Sequence, residues 1–422
     1  MRILFLTHYF PPEVNAPASR TYEHCRRWVQ AGADVTVVTC VPNHPRGVIF
    51  PGYRNRLWQR DRIDGIDVVR VWTFATANEG FLLRTLNYVV FMLMSIAASC
   101  FVKRPDVVIS TSPQFFAGLA GYVASRLRRA RWILEIRDLW PESILAVGAI
   151  KSKAIIGLLE WLERFAYRKA DQIVVVTESF VQHVANHGGK PDRIAVITNG
   201  VDLSTFQRRD RDTAWAGELG LNDKFVAAYV GTHGMAHGLK TILEAAEILR
   251  DRADIAILMV GDGAAKAGLK EERDKRGLDN VVMLDEMPKE KMAQIWSISD
   301  ASLVLLRNLP LFSTVIPSKI FESMAMERPI ILGVVGESAR IIEAAQSGIL
   351  ITPESAEELS AAIRRLADDR DHVSALGRNG ADYVRTHYDR DKLAATFLDI
   401  IRRVAQSTTA NDRRRHAGAP AE

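Results

Sequence analysis

The loop that follows the first apolar run of this 422-residue chain contains no glycine. ILFLT (3–7) leads into HYFPPEVNAPAS, where a dinucleotide-binding sheet would place G-x-G-x-x-G to turn sharply and let a pyrophosphate reach the backbone, so the sequence argues against a dehydrogenase. Cysteine is scarce. Cys25, Cys40 and Cys100 are scattered, odd in number and without C-x-x-C spacing, which suggests neither a disulfide framework nor a zinc site and suits a reducing, cytoplasmic setting. MRILFLTHYFPPE reads as a buried strand rather than a secretory leader, because its short apolar core ends in Pro11-Pro12 without a small-residue cleavage site. Acid is short in the first half alone. Residues 1–200 hold 25 lysines and arginines against 16 aspartates and glutamates, the remainder 30 against 34, so an anionic partner is expected for the N-terminal half.

What is present is a grammar used twice. VTVVT (35–39), VVRVW (68–72), VVIS (107–110), WILEI (132–136) and IVVVT (173–177) continue the pattern of the first run, rich in Val and Ile and too short for helices, with helical stretches between most of them. The same alternation resumes with FVAAYVG (225–231), IAILMVG (255–261), VVMLD (281–285), ASLVLL (301–306), PIILGV (329–334) and GILI (348–351). Strands apolar on both faces with helical crossovers imply parallel, doubly wound α/β sheets. The expected division is a Rossmann-like domain over 1–203, a second over 204–388, a helix over 389–405 with one apolar face, and a disordered tail over 406–422.

Open parallel sheets bind ligands at the carboxyl ends of their strands. GTHGMAHG (231–238) is a glycine-rich loop opening a helix; it suits phosphate-binding amides or a simple tight connection, and the segment alone does not decide. VGDG (260–263) has neither P-loop nor dinucleotide spacing. The Asp-x-Asp pairs at 210/212, 369/371 and 389/391 have arginine inside or beside them and read as solvated charge, so no essential metal is expected. PSKIFESMAMERP (317–329) carries more. Lys319 and Glu322 share one face of a short helix whose other residues are apolar, where charge needs a reason: a carboxylate to accept ribose hydroxyls, an ammonium to neutralise a diphosphate.

TLNYVVFMLMSIAASCFV (85–102) has eighteen residues without charge between Arg84 and Lys103-Arg104, a marginal length for a membrane span. A span would split the first sheet. A helix packed on the sheet with an apolar outer face, docking on an anionic inner leaflet with help from Lys103, Arg104 and RLRRAR (126–131), is the better reading, with full burial its alternative.

Taken together, HYFPPE with Ala16-Pro17, AGADVTVVT, RDLWPES, NGVD (199–202), GTHGMAHGLKTILEAAEIL, VGDG and PSKIFESMAMERPII resemble the retaining GT-B glycosyltransferases of family 4 over residues 1–405. The branch most similar acts in surface polysaccharide assembly and includes L-fucosamine and colanic acid transferases. The resemblance implies two Rossmann-like domains facing across a cleft, with the C-terminal helix crossing back to the first. It also implies a donor site of Asn15, Ala16, Thr232, His233, Gly234, His237, Gly261, Asp262, Met287, Arg307, Ser313, Thr314, Val315, Pro317, Ser318, Lys319 and Glu322. Catalytic roles fall to Arg137, Asp138, Lys319 and Glu322, and acceptor contacts to Trp140 and Glu142. Three departures stand out. Thr314 occupies the place of the family's first paired glutamate, Thr232 and His237 replace its arginine and lysine, and Arg137 replaces a histidine. Diphosphate neutralisation then falls to Lys319 and amides near Gly234, with Arg307 and Arg137 in reserve.

The implied activity is transfer of an N-acetylated hexosamine or deoxyhexosamine from a UDP-sugar, without cofactor or metal, to a polyprenyl-diphosphate-linked saccharide in O-antigen, capsule or exopolysaccharide assembly. The enzyme would be peripheral at the cytoplasmic membrane face, with no nucleic-acid partner. A non-catalytic sugar-nucleotide sensor and a nucleotide-sugar 2-epimerase on the same fold are the alternatives.

Overall fold

The computed structural model describes the chain except Val14, Pro45, residues 76–80, Pro113, 143–151, 289–290 and 418–422, with backbone alone at 81–82, 311 and 407–417. Two compact units emerge, Met1–Thr198 with Asp391–Glu422, and Asn199–Arg390.

The first unit runs β1 (Arg2–Leu6), α1 (Ala16–Gln30), β2 (Asp34–Cys40), β3 (Trp58–Ile63), β4 (Ile66–Val71), α2 (Phe81–Ser99), β5 (Val107–Thr111), α3 (Phe115–Arg128), β6 (Arg131–Ile136), α4 (Lys153–Lys169), β7 (Gln172–Val175), α5 (Ser179–Asn186) and β8 (Ile194–Val196). Its eight strands lie in the order β3-β4-β2-β1-β5-β6-β7-β8. Alternate residues of each strand point to opposite faces. Ile3, Phe5, Val35, Val37, Val107 and Ile109 meet Trp28 of α1 on one side, while Leu4, Leu6, Val38 and Val108 meet Phe91 and Ala98 of α2 and Ala117, Ala120 and Ala124 of α3 on the other. Both faces being covered explains the unbroken apolar runs. β3 lacks such a run. It pairs antiparallel with β4 at the sheet edge, through a turn in which Asp64 and Gly65 both have positive φ (46° and 81°).

The second unit runs α6 (Thr213–Glu218), β9 (Phe225–Val230), α7 (Lys240–Ile248), β10 (Ile255–Val260), α8 (Lys266–Arg276), β11 (Val281–Leu284), α9 (Met292–Ser297), β12 (Ala301–Leu305), α10 (Lys319–Ala325), β13 (Ile330–Gly333), α11 (Glu337–Ala345), β14 (Gly348–Leu350), α12 (Ala356–Asp368) and α13 (Arg370–His387). Its six strands are parallel, in the order β11-β10-β9-β12-β13-β14. Two of the aspartate pairs serve as helix caps: Asp212 accepts Trp215 N–H and Asp369 accepts His372 N–H.

The last helix, α14 (Arg390–Ala417), returns to the first unit. Phe397, Leu398, Ile400, Ile401 and Val404 pack with Ile3, Phe5 and Trp28, and the Trp28 indole donates to Ala394 O at 3.0 Å. It continues past Gln406, where composition predicts order to end. QSTTANDRRRHA contains neither Gly nor Pro, and the first helix breakers are Gly418 and Pro420. On α2, Phe91 and Ala98 face the core while Leu83, Leu86 and Leu93 are exposed, and no helix among the described residues is long and apolar enough to cross a membrane.

Candidate active site

In the second sheet the chain leaves β9 for β10 on one side, and β12 joins β9 on the other, so the carboxyl ends of β9 and β12 flank a topological switch point, where open α/β sheets have room for a ligand. The loops after these two strands meet there. Arg307 N–H donates to Ala236 O at 2.9 Å, and the Lys319 side chain lies against Gly231, where an added Cβ would stand 3.1 Å from Nζ.

The β9 loop is also clamped by the loop after β10. His233 N–H donates to Asp262 O (2.8 Å), and Ala265 N–H to His233 O (2.8 Å). Gly261 and Gly263 sit at φ +148° and +153°, and a Cβ on either would strike the β9 loop backbone, 1.9 Å from Gly231 O and 2.6 Å from His233 O. The glycines of VGDG thus allow two loops to touch. The clamp buries His233 completely, leaving both ring nitrogens without a hydrogen-bond partner. Burial, with Lys266 and Lys319 nearby, pushes its pKa down to about 4.

Lys319 is the centre of the arrangement. Its ammonium is shut off from solvent 3.7 Å above the Tyr229 ring, with no hydrogen-bond partner. Burial lowers its pKa to about 7, the charge of Glu322 acting in the opposite direction. The His233 and His237 rings lie 5.8 and 6.0 Å from the same tyrosine, and His237 is held at about 4 by burial and then by Lys319. Three nitrogen bases therefore surround one aromatic ring, and the two imidazoles are kept neutral partly by the ammonium. An anion there would reverse that pressure. Tyr229 was not singled out from the sequence, where an aromatic in FVAAYVG reads as core.

Glu322 is half-buried in the first turn of α10, among the buried Ile320, Phe321, Ser323 and Met324. Ser313 and Thr314 lie in a 3-10 turn (Pro310–Thr314), pinned where Gly336 (φ +84°) lies so close that a Cβ would be 2.0 Å from Ser313 O. Ser338 Oγ donates to Val315 O at 2.8 Å. Met287 packs on the core cluster that holds Val260 and Trp296. Arg307 lies against the same β9 loop, its Cγ 3.7 Å from where a Cβ on Gly238 would stand. Its guanidinium pairs with Glu354 (3.8 Å) beside a groove of about 660 Å³ that Gly234 and Gly238 also line and Lys319 and Tyr229 do not.

In the first unit, Asn15, Ala16, Arg137 and Asp138 come together. Asn15 caps α1 by accepting Ala18 N–H (2.9 Å), and Arg137 Nη2 donates to Ala16 O (3.2 Å). Ser112 Oγ, at the end of β5, accepts the backbone N–H groups of Arg137 (2.6 Å) and Asp138 (3.2 Å). Arg137 Nε and Nη1 are buried without partners, and burial lowers its pKa to about 10 against the pull of Glu135. Glu135 itself forms a buried ion pair with Arg20 at 3.0 Å. The acceptor pair separates. Trp140 is buried, stacks on Phe115 (6.0 Å, 12°) and lines a small cavity with Asp138 and Ser112. Glu142 is exposed and pairs with His183 (3.2 Å), which also meets Glu163.

Residues 15–200 match the glycosyl transferase 4-like domain, and residues 212–383 the glycosyl transferases group 1 domain. The chain is 24% identical over 414 residues to the putative colanic acid biosynthesis glycosyl transferase WcaI of Escherichia coli K12, covering 95% of this chain and 100% of that one. Among solved structures, sucrose-phosphate synthase of Thermosynechococcus elongatus superposes with a TM-score of 0.74 at 16% identity, covering 96% of this chain and 99% of that one. Anabaena Alr3699/HepE, solved in complex with UDP, superposes with 0.69 at 15% identity, covering 95% and 99%.

Proposed function

Because the chain belongs to the GT-B glycosyltransferases, built from a glycosyl transferase 4-like and a group 1 domain, we propose that it transfers a sugar from a nucleoside-diphosphate sugar to a growing surface polysaccharide. The observation that carries this reading is the unpartnered, buried ammonium of Lys319 over Tyr229, with Glu322 one turn on, at the switch point of the second sheet. Such a charge destabilises the free protein and suits a diphosphate leaving group. The UDP in Alr3699/HepE supports a uridine donor, and the colanic acid assignment of WcaI supports a bacterial surface polysaccharide as product. The finer reading is an N-acetylated hexosamine or deoxyhexosamine moved, with retention, to a polyprenyl-diphosphate-linked saccharide. The acceptor oxygen bonds to the anomeric carbon as the bond to the diphosphate breaks on the same face, and the acceptor proton passes to a phosphate oxygen. Lys319 then holds the growing negative charge, and Glu322 the ribose hydroxyls. Asp138 belongs to the loop that the resemblance gives to the acceptor.

A panel of sugar nucleotides, with lipid-linked and water-soluble saccharide acceptors, tests the proposal. Transfer with release of the nucleoside diphosphate is expected, with activity largely retained in EDTA because the leaving group is neutralised by side chains. Binding without turnover would mean a sensor. Isomerised donor without acceptor would mean an epimerase, and a requirement for manganese or magnesium would overturn the charge assignment.

The lipid-linked acceptor predicts a docking face. Leu83, Leu86 and Leu93 of α2, Phe101, Leu127 of α3, and Ile155, Leu158 and Trp161 of α4 are exposed. Not every arginine of RLRRAR is available: Arg128 donates to Cys100 O and Val102 O, and Arg131 pairs with Asp171. Beyond the end of α2, Lys103 lies 3.5 Å from Asp34 and Arg104 Nε donates to Arg128 O at 3.3 Å, but both are exposed, and each charge is worth about 1 kcal/mol near an anionic surface. Lys103→Glu with Arg104→Glu should weaken sedimentation with anionic vesicles and reduce transfer to a lipid-linked acceptor more than to a soluble one. Equal loss on both acceptors would remove the membrane from this reading.

A further inference from the structure

At the amino-terminal edge of the second sheet, away from Lys319, the chain gathers a second group of cations. Arg208, Arg209 and Arg211, on the segment leading into α6, share a cavity of about 230 Å³ with Arg328, just before β13, and Arg378 on α13. Gly377 makes the approach possible. A Cβ there would lie 2.4 Å from Glu327 O, so only glycine lets α13 rest on the turn at Glu327, whose own φ is +55°.

Three acids, Asp210, Asp300 and Glu327, line the cavity with these five arginines and leave them in excess. Glu327 is engaged by Arg208 (3.2 Å), and Asp300 by Arg211 (3.3 Å), Arg370 (2.8 Å) and Val226 N–H (2.8 Å). Arg209 and Arg378 have no ion-pair partner among the described residues. Exposed arginines of that kind are ordinary on a solvated surface. Arg328 is not ordinary: it is half-buried with Nε shut off from solvent and without a hydrogen-bond partner, and burial lowers its pKa against the pull of Asp300, with Arg211 and Arg208 adding repulsion. A guanidinium with a buried, unpartnered nitrogen among convergent arginines calls for an anion, and planar forks of this kind match phosphate oxygens.

We propose that this pocket binds a small soluble phosphate-class anion, up to about the size of a diphosphate, joining the segment 208–211 to the β13 turn and α13. The site is separate from the donor site and does not depend on it.

Pyrophosphate is the probe, titrated calorimetrically and by unfolding temperature. In Lys319→Met, which removes the donor-site cation, pyrophosphate should still bind and raise the unfolding temperature, with affinity falling as salt rises. Adding Arg209→Ser and Arg378→Ser, both at exposed positions, should weaken that binding at least about tenfold, the discrimination expected from losing charged hydrogen bonds. Arg328→Gln should abolish it while making the anion-free protein no less stable. Binding that disappears with Lys319→Met alone, or that survives the double substitution, would overturn the proposal. Loss of binding to phosphatidic acid vesicles in the double variant, without pyrophosphate binding to the parent, would overturn a soluble ligand in favour of a lipid headgroup.

Discussion

Replacing Lys319 with methionine is expected to lower kcat/KM for transfer by about 10²–10³-fold, or about 3–4 kcal/mol, while raising the unfolding temperature. The two halves come from one observation. The ammonium is buried over Tyr229 without a hydrogen-bond partner, so its charge opposes folding unless a ligand supplies the missing negative charge. Its folded pKa of about 7 lies below the unfolded value of 10.5. Below pH 7 both states carry the proton and the penalty is complete; between 7 and 10.5 only the unfolded state keeps it, so native stability rises with pH. The stability gain of the methionine variant should therefore be largest near pH 6.5 and shrink toward pH 9. Donor binding has the opposite dependence. A diphosphate raises the lysine pKa, so binding takes up a proton, and affinity for a sugar nucleotide should decline as pH rises above 7 in the parent but not in the variant. A structural ion pair would behave otherwise: Lys319→Met would then destabilise the protein and leave the pH dependence of binding unchanged.

The parallel strands were readable because both faces of each sheet are covered, which demands unbroken apolar runs such as IAILMV and VVIST. WQRDRI escaped notice for the converse reason. As an antiparallel edge strand it has only partial burial to satisfy, and the local signal that marks it is the Asp64-Gly65 turn. Lys319 and Glu322 stand out in the sequence as charges within an otherwise apolar helix, and the fold encloses the ammonium and half-buries the carboxylate. Tyr229 was hidden because its chemistry depends on what lies above the ring, which no one-dimensional pattern records. VGDG failed as a motif and succeeded as geometry, its glycines being set by the backbone of another loop. Trp140, which stands out in RDLWPES, is packed by the fold against Phe115, a contact that the sequence does not record.

Glu322→Gln should weaken sugar-nucleotide binding by about 10–100-fold with little change in fold. A hydrogen bond to a charged acceptor is worth about 1.5–3 kcal/mol, and an amide offers a single acceptor oxygen where the carboxylate offers two to a pair of ribose hydroxyls. The assignment makes a sharper demand. A donor lacking the ribose 2′-hydroxyl should bind the parent more weakly than the intact donor, while the Gln variant should hardly distinguish the two. A second consequence concerns the neighbouring lysine. Glu322 favours the protonated form of Lys319, so removing its charge lowers the Lys319 pKa further from about 7. The decline of donor affinity with rising pH should accordingly begin at lower pH in the Gln variant, and the loss of activity should be greater at pH 8 than at pH 6. If the variant still discriminates against the deoxyribose donor as the parent does, Glu322 is not the ribose ligand. If its pH profile is also unmoved, the carboxylate is not coupled to Lys319, and the two charges at the head of α10 do not act as one site.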